Sequence, residues 1–295
     1  MIHYRRLRDW VIPDIEHRYS VDDTMHYALA LGLGDDPMDE DQLAFVDETR
    51  PGGLRVLPSM AVVLGFPGSW MQDPGTGIDF ARIVHGDELI ELHRPLPAAG
   101  AVRASHRVVR IVDKGPGRGA TITYDKTLVD TATGAALATV RHTTFARGDG
   151  GYSQQGGDAG FSDAPLPVPP PVPTRPPDRV LDLRTLPQQA LLYRLCADRN
   201  PLHSQPAVAR AAGFERPILH GLGTYGMACR ALLALWAGYD PARLKRLYAR
   251  FTAPVIPGDT LRFETWREGA EINFRTRAVE RDALVLDFGR AVIGD

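Results

Sequence analysis

Apolar and polar residues alternate along several stretches of this chain. Ala101–Val112, Ala120–Val129 and Thr260–Trp266 are the clearest. Successive side chains of a strand point to opposite faces, so such a pattern predicts strands of an antiparallel sheet covered on one side. Two other stretches are apolar over helical lengths, Leu57–Gly65 and Gly221–Trp236. Each follows a polar or turn-rich entry. Each is followed by a strand-like run, a proline and a glycine that opens a second strand, over Leu89–Val102 and Leu247–Leu261. The chain therefore reads as a weak internal repeat of helix, then strand meander. That is an α+β layout with helices packed on one sheet.

The pattern breaks between Gly148 and Pro177. A glycine- and glutamine-rich run there precedes Pro165-Leu-Pro-Val-Pro-Pro-Pro-Val-Pro and Arg175-Pro-Pro. Glycine favours flexibility and proline stiffness, and such a segment has few apolar side chains to offset its ordering entropy. The expected organisation is an N-terminal half over 1–147, a linker over 148–177 and a C-terminal half over 178–295.

Composition narrows the function. With 34 basic and 36 acidic residues the net charge is −2, so nothing favours nucleic acid or an anionic membrane. Cys196 and Cys229 supply neither a disulfide framework nor a Cys-x-x-Cys metal site. No run approaches the ~18 apolar residues that span a bilayer, and no signal-type apolar core follows the basic start. The C-terminus is not a Ser-Lys-Leu tail. A cytoplasmic protein without a metal site is expected.

The chemistry concentrates in Asp198-Arg-Asn200-Pro-Leu-His203. Apolar spacing predicts a helix over Pro187–Cys196, Pro201 disfavours helix at Asn200, and a second helix is expected from Pro206 to Gly213. The six residues thus form a tight loop between helices. A carboxylate and an imidazole within reach of one water can orient it and take its proton, and Asn200 can fix the loop or the water. A turn that caps the next helix, with His203 merely satisfied, explains the same residues. Downstream, Gly221 opens the apolar helix. Its free N–H groups could polarise a thioester carbonyl, and glycine permits close approach. Gly221-x-Gly223-x-x-Gly226 also matches a dinucleotide fingerprint, but no strand precedes it and no parallel strand follows. Asp22, Asp23 and the Asp39–Asp41 run read as helix starts, and His26 and His142 have no partner by spacing.

At Ala197–His203 the chain resembles the (R)-specific enoyl-CoA hydratases of the MaoC-like group, most of all the two-half form in peroxisomal multifunctional enzymes. The likeness extends through Tyr27–Gly32, Val84–Glu88, Arg94–Pro97, Asp113–Gly115, Arg175–Asp178, Pro217–Leu222 and Ala249–Gly258. It implies a double hot-dog fold, a catalytic C-half and an N-half that accommodates the acyl chain. It places catalysis on Asp198 and His203, with Asn200 beside them and the Gly221 N–H on the thioester oxygen. It places His85, Gly86, Lys114 and Phe251 on acyl-CoA, with no cofactor and a homodimer as the assembly. Two positions depart from the pattern: Ala197 replaces a usual glycine and Gln205 a frequent acid. The implied reaction is hydration of a trans-2-enoyl-CoA, or the reverse, in fatty acyl metabolism. A carrier-protein dehydratase, a thioesterase and a non-catalytic acyl-CoA-binding subunit are the alternatives.

Overall fold

The computed structural model describes residues 2–154 and 156–294. The strands of the N-half are β1 (Ile15–Tyr19), β2 (Ile83–Leu92), β3 (Gly100–Asp113), β4 (Ala120–Asp130) and β5 (Ala136–Ala146). Those of the C-half are β6 (Arg179–Arg184), β7 (Leu244–Phe251), β8 (Thr260–Glu268), β9 (Glu271–Ala278) and β10 (Ala283–Ile293). The α-helices are α1 (Tyr4–Arg8), α2 (Val21–Ala30), α3 (Glu40–Leu43), α4 (Gln189–Tyr193), α5 (Pro206–Ala211) and α6 (Gly221–Leu232).

All strands join one antiparallel sheet in the order β1-β3-β4-β5-β2-β7-β10-β9-β8-β6. Read inward from its own edge, each half has the same order: first, third, fourth, fifth, second. The weak sequence repeat is thus a repeat of topology, and the fold is the expected α+β double hot-dog. The seam is β2 against β7, where Asp87 faces Arg250 and Glu91 faces Arg246.

α6 is the central helix. Every residue from Gly223 to Leu232 is buried, as expected of a helix apolar on all sides. It touches both halves. Tyr225 donates to the Leu247 carbonyl of β7, and a Cβ at Gly226 would lie 2.7 Å from Leu31 Cδ1. Glycine here allows close packing, which is the ordinary reading of that residue. Gly226→Ala should overpack this contact and cost about 1–3 kcal/mol, seen as a lower Tm.

The N-half differs from the expectation. Leu57–Gly65 forms only a 3-10 turn, Pro58–Val62, and the chain leaves it through Gly65 at φ 60°. A side chain on that glycine would strike Ala104. Lys126 of β4 ends the turn: its Nζ donates to the carbonyls of Ala61, Val62 and Leu64, each at 2.8 Å. The N-half sheet therefore has no long helix of its own at this point.

The glycine-rich start of the 148–177 segment is also better anchored than its composition suggests. Asp113 accepts from the N–H groups of Gly151 and Ser153 and from the Ser153 hydroxyl. Tyr152 is buried and donates to the Ile111 carbonyl. One carboxylate and one aromatic ring supply the order that glycine alone lacks. The acidic runs behave as helix starts: Ser20 and Asp23 form a capping box, and Asp39 caps α3. Among the described residues no helix is long and apolar enough to cross a membrane.

Candidate active site

The Asp198–His203 loop lies between α4 and α5, as the prolines predict. Pro201–His203 is one 3-10 turn, and the Asn200 side chain caps it by accepting from the Leu202 N–H at 3.0 Å. Asp198 Oδ1 accepts from the Asn200 N–H at 2.9 Å. The capping explanation therefore holds for Asn200, which is exposed. It does not account for His203, which turns inward and is buried.

His203 Nδ1 lies 2.9 Å from the Ile218 carbonyl. A carbonyl only accepts, so Nδ1 carries the proton and Nε2 keeps its lone pair. Burial lowers the His203 pKa, while the Ile218 bond and the Asp198 charge pull it upward. The ring stacks on His220 at 3.6 Å between centroids. His220 Nε2 donates to the Asp198 backbone carbonyl at 3.0 Å, tying the loop to the residue before α6. Burial, then the neighbouring His203, push His220 down to about 3. The ligating atoms of Asp198, His203 and His220 all lie within 4.8 Å of one another. They are the residues that could share a proton or hold an ion.

Gly221 follows directly, as the first residue of α6, so its N–H has no partner within the helix. A Cβ there would lie 3.2 Å from the Phe251 ring, so glycine keeps this corner open. Phe251 ends β7 and meets the His85 ring at 4.3 Å between centroids. Gly86 sits at a register break between β2 and β5, where a Cβ would lie 3.1 Å from the Thr143 carbonyl oxygen. Lys114 is exposed just past β3, with Nζ 4.9 Å above Phe145, the residue opposite Val84. The structure thus brings Asp198, His203, Gly221, Phe251, His85 and Gly86 into one connected site. Lys114 lies outside these contacts, over Phe145, and Asn200 supports the loop.

Three site residues escaped sequence reasoning. His220 lies within the quoted Pro217–Leu222 motif, but nothing in its spacing announced the stack on His203. Glu88 and His142 come from paired strands far apart in sequence. His142 Nδ1 and His85 Nε2 both lie about 3 Å from Glu88 Oε2, at 3.0 and 2.9 Å. His142 is therefore not the partnerless residue its spacing suggested.

Protonation of His203 would remove its Nε2 lone pair. Because its pKa is lowered, the activity of this site is expected to be flat near neutrality and to fall only below pH ~6.5. A pH profile whose acid limb begins above that value would contradict the assignment. Stability should fall over the same acid range. Burial lowers His85 to about 4 and His220 to about 3, so below the unfolded value the unfolded chain binds more protons. Tm should decline progressively as pH drops from ~6.5 toward 3.

Residues 17–148 match the MFE-2 hydratase 2 N-terminal domain, and residues 170–287 match the MaoC like domain. A Mycobacterium tuberculosis protein named enoyl-CoA hydratase ChsH3 is 38% identical over 277 residues, 93% of either chain. The chain belongs to the MaoC-like hydratase family. A second relative from that organism, named 3-hydroxyacyl-thioester dehydratase Y, is 40% identical and covers 90% of either chain. The crystal structure of a MaoC-like dehydratase from Phytophthora capsici covers all of both chains at a TM-score of 0.86 and 30% identity.

Within this MaoC-like chain, the two departures prove benign in geometry. Ala197 is not among the residues with positive φ, so alanine fits the backbone there without strain. Gln205 precedes α5 with extended backbone and adds no charge near His203. The Gly221–Gly226 run lies in a wholly antiparallel sheet protein, which removes the setting of a dinucleotide fingerprint.

Proposed function

We propose that the chain hydrates trans-2-enoyl-CoA to (R)-3-hydroxyacyl-CoA, and catalyses the reverse dehydration, in fatty acyl metabolism. The observation that carries this reading is a neutral His203, protonated on Nδ1, with a ring nitrogen within 4.8 Å of an Asp198 carboxylate oxygen, next to the free N–H of Gly221. The thioester oxygen takes the Gly221 N–H, which stabilises the charge that develops on it. Water lies between His203 Nε2 and Asp198. Its oxygen bonds to C3 as Nε2 takes its proton, and a proton is returned to C2 from the same side. Asp198 favours the transient imidazolium. His85, Gly86 and Phe251 hold the CoA thioester, and Lys114 is placed to meet its phosphates.

The reaction exchanges only water and protons, so its redox balance calls for no redox cofactor, and the protein's own acid and base suffice without a metal. A cytoplasmic homodimer acting on free acyl-CoA completes the proposal. The enoyl-CoA hydratase name of one relative supports free acyl-CoA as substrate, and a hot-dog architecture that commonly pairs supports the dimer. The expected result is loss of the enoyl-thioester absorbance with crotonyl- and trans-2-decenoyl-CoA and formation of the (R) product. Release of free thiol without hydration would instead make it a thioesterase. The dehydratase relative favours a second reading, in which the thioester is carried by a protein; rates on carrier-protein and CoA thioesters separate the two.

A further inference from the structure

A cavity of about 20 Å³ lies between the N-half sheet and Leu222, the second residue of α6. That is room for one water or one small hydrogen-bonding group. Val62, Phe66, Pro67 and Val140 form an apolar part of its wall, but Glu88, Tyr124, Lys126 and His142 of β2, β4 and β5 also line it. A space shaped for plain hydrocarbon has apolar walls. This one contains a carboxylate that is only 2% exposed.

Glu88 is half satisfied. Its Oε2 accepts from His85 and His142. Its Oε1 has no hydrogen bond from the described residues. Burial would raise the Glu88 pKa, but the two imidazoles outweigh it and hold the carboxyl at about 2, so it is ionised at neutral pH. Lys126 also borders the cavity, yet its three N–H bonds are spent on the Ala61, Val62 and Leu64 carbonyls. Burial and the Glu88 charge raise the Tyr124 pKa, so its hydroxyl stays neutral beside the carboxylate. An ionised acceptor with a spare oxygen in a space for one group asks for a donor.

We propose that this cavity receives a hydroxyl group carried on the acyl chain, so that the preferred substrates are oxygenated enoyl-CoA thioesters rather than plain fatty ones. The inference rests on the hydratase reading, in which the thioester carbonyl sits on Gly221. The next residue, Leu222, is a wall of the cavity, so the acyl chain passes the polar group as it leaves the α6 N-terminus. An alkyl chain there strips water from Glu88 and returns no hydrogen bond. A hydroxyl donates to Oε1. Sites that hydrogen-bond a substrate hydroxyl discriminate strongly against its absence, because their own buried groups are then left unpaired.

The test compares trans-2-decenoyl-CoA with derivatives of it, positional isomers of one another, carrying one hydroxyl at successive positions from C5 to C9. At least one isomer should exceed the parent in kcat/KM by about tenfold or more. Glu88→Gln weakens the acceptor and Tyr124→Phe removes the neighbouring hydroxyl; each should shrink that ratio. The ratio cancels any general loss of activity caused by disturbing His85. If the parent is the best substrate in every comparison, or the ratio is unmoved in both variants, the cavity holds only water and the proposal is overturned. Calorimetric binding of decanoyl-CoA and its hydroxylated derivatives needs no turnover. Tighter binding of a hydroxylated isomer without hydration of any thioester would overturn the hydratase reading and leave the cavity assignment standing.

Discussion

Asp198→Asn is expected to reduce the hydration rate by roughly 10²–10⁴-fold, the range for loss of a positioned acid–base partner, while the fold stays intact. The substitution keeps the shape and the Oδ1 acceptor that binds the Asn200 N–H. It removes the charge that favours an imidazolium at His203. In the proposed mechanism the carboxylate acts on the water and not on the CoA, so KM should change far less than kcat. The check is steady-state kinetics with crotonyl-CoA beside a thermal melt. Near-normal turnover with an unchanged melt would remove Asp198 from the mechanism. Substituting His203 as well should add little, since the two act as a unit.

Arg230→Met is expected to lower stability by about 2–4 kcal/mol, the largest effect foreseen away from the chemistry. Arg230 lies on α6 and is almost wholly buried. Its guanidinium donates to the Leu31 carbonyl, to Gln42 Oε1 and to Asp35 Oδ1. The first two acceptors are buried; the Leu31 carbonyl would be left unpaired and Gln42 Oε1 would keep only the Gly34 N–H, although methionine fills much the same volume. Asp35 is about half exposed, so water screens its share and that part of the loss is small. These bonds fasten the central helix of the C-half to the loop after α2 and to α3. Chemical denaturation should show a lower midpoint, and hydration per folded molecule should survive. An unchanged midpoint would mean that the guanidinium contributes no net stability.

Much of the site was legible because its residues are close in sequence. Prolines at 201 and 206 and glycine at 213 bracket the loop, so Asp198, Asn200 and His203 had to share a small volume. Gly221 was legible as a helix start because a long apolar run begins there. The N-half was less so. Apolar content at Leu57–Gly65 suggested a helix, but Pro58 and the left-handed Gly65 confine it to one 3-10 turn, which Lys126 then caps. Apolar patterning reports burial, and a buried turn and a buried helix have the same pattern.

By itself the sequence determined the α+β class, the repeat, the candidate catalytic loop and the family. These rest on local periodicity and on contiguous motifs. Tertiary structure alone decided which tautomer His203 adopts, because the Ile218 carbonyl that selects it arrives from a separate segment. It alone stacked His220 on His203. It alone joined β2 to β5, which sets Glu88 opposite His142 and gives the candidate site a buried charge. The physical reason is common to all three. Burial and pairing between distant strands set the protonation and polarity of a group, and neither can be read from its neighbours along the chain.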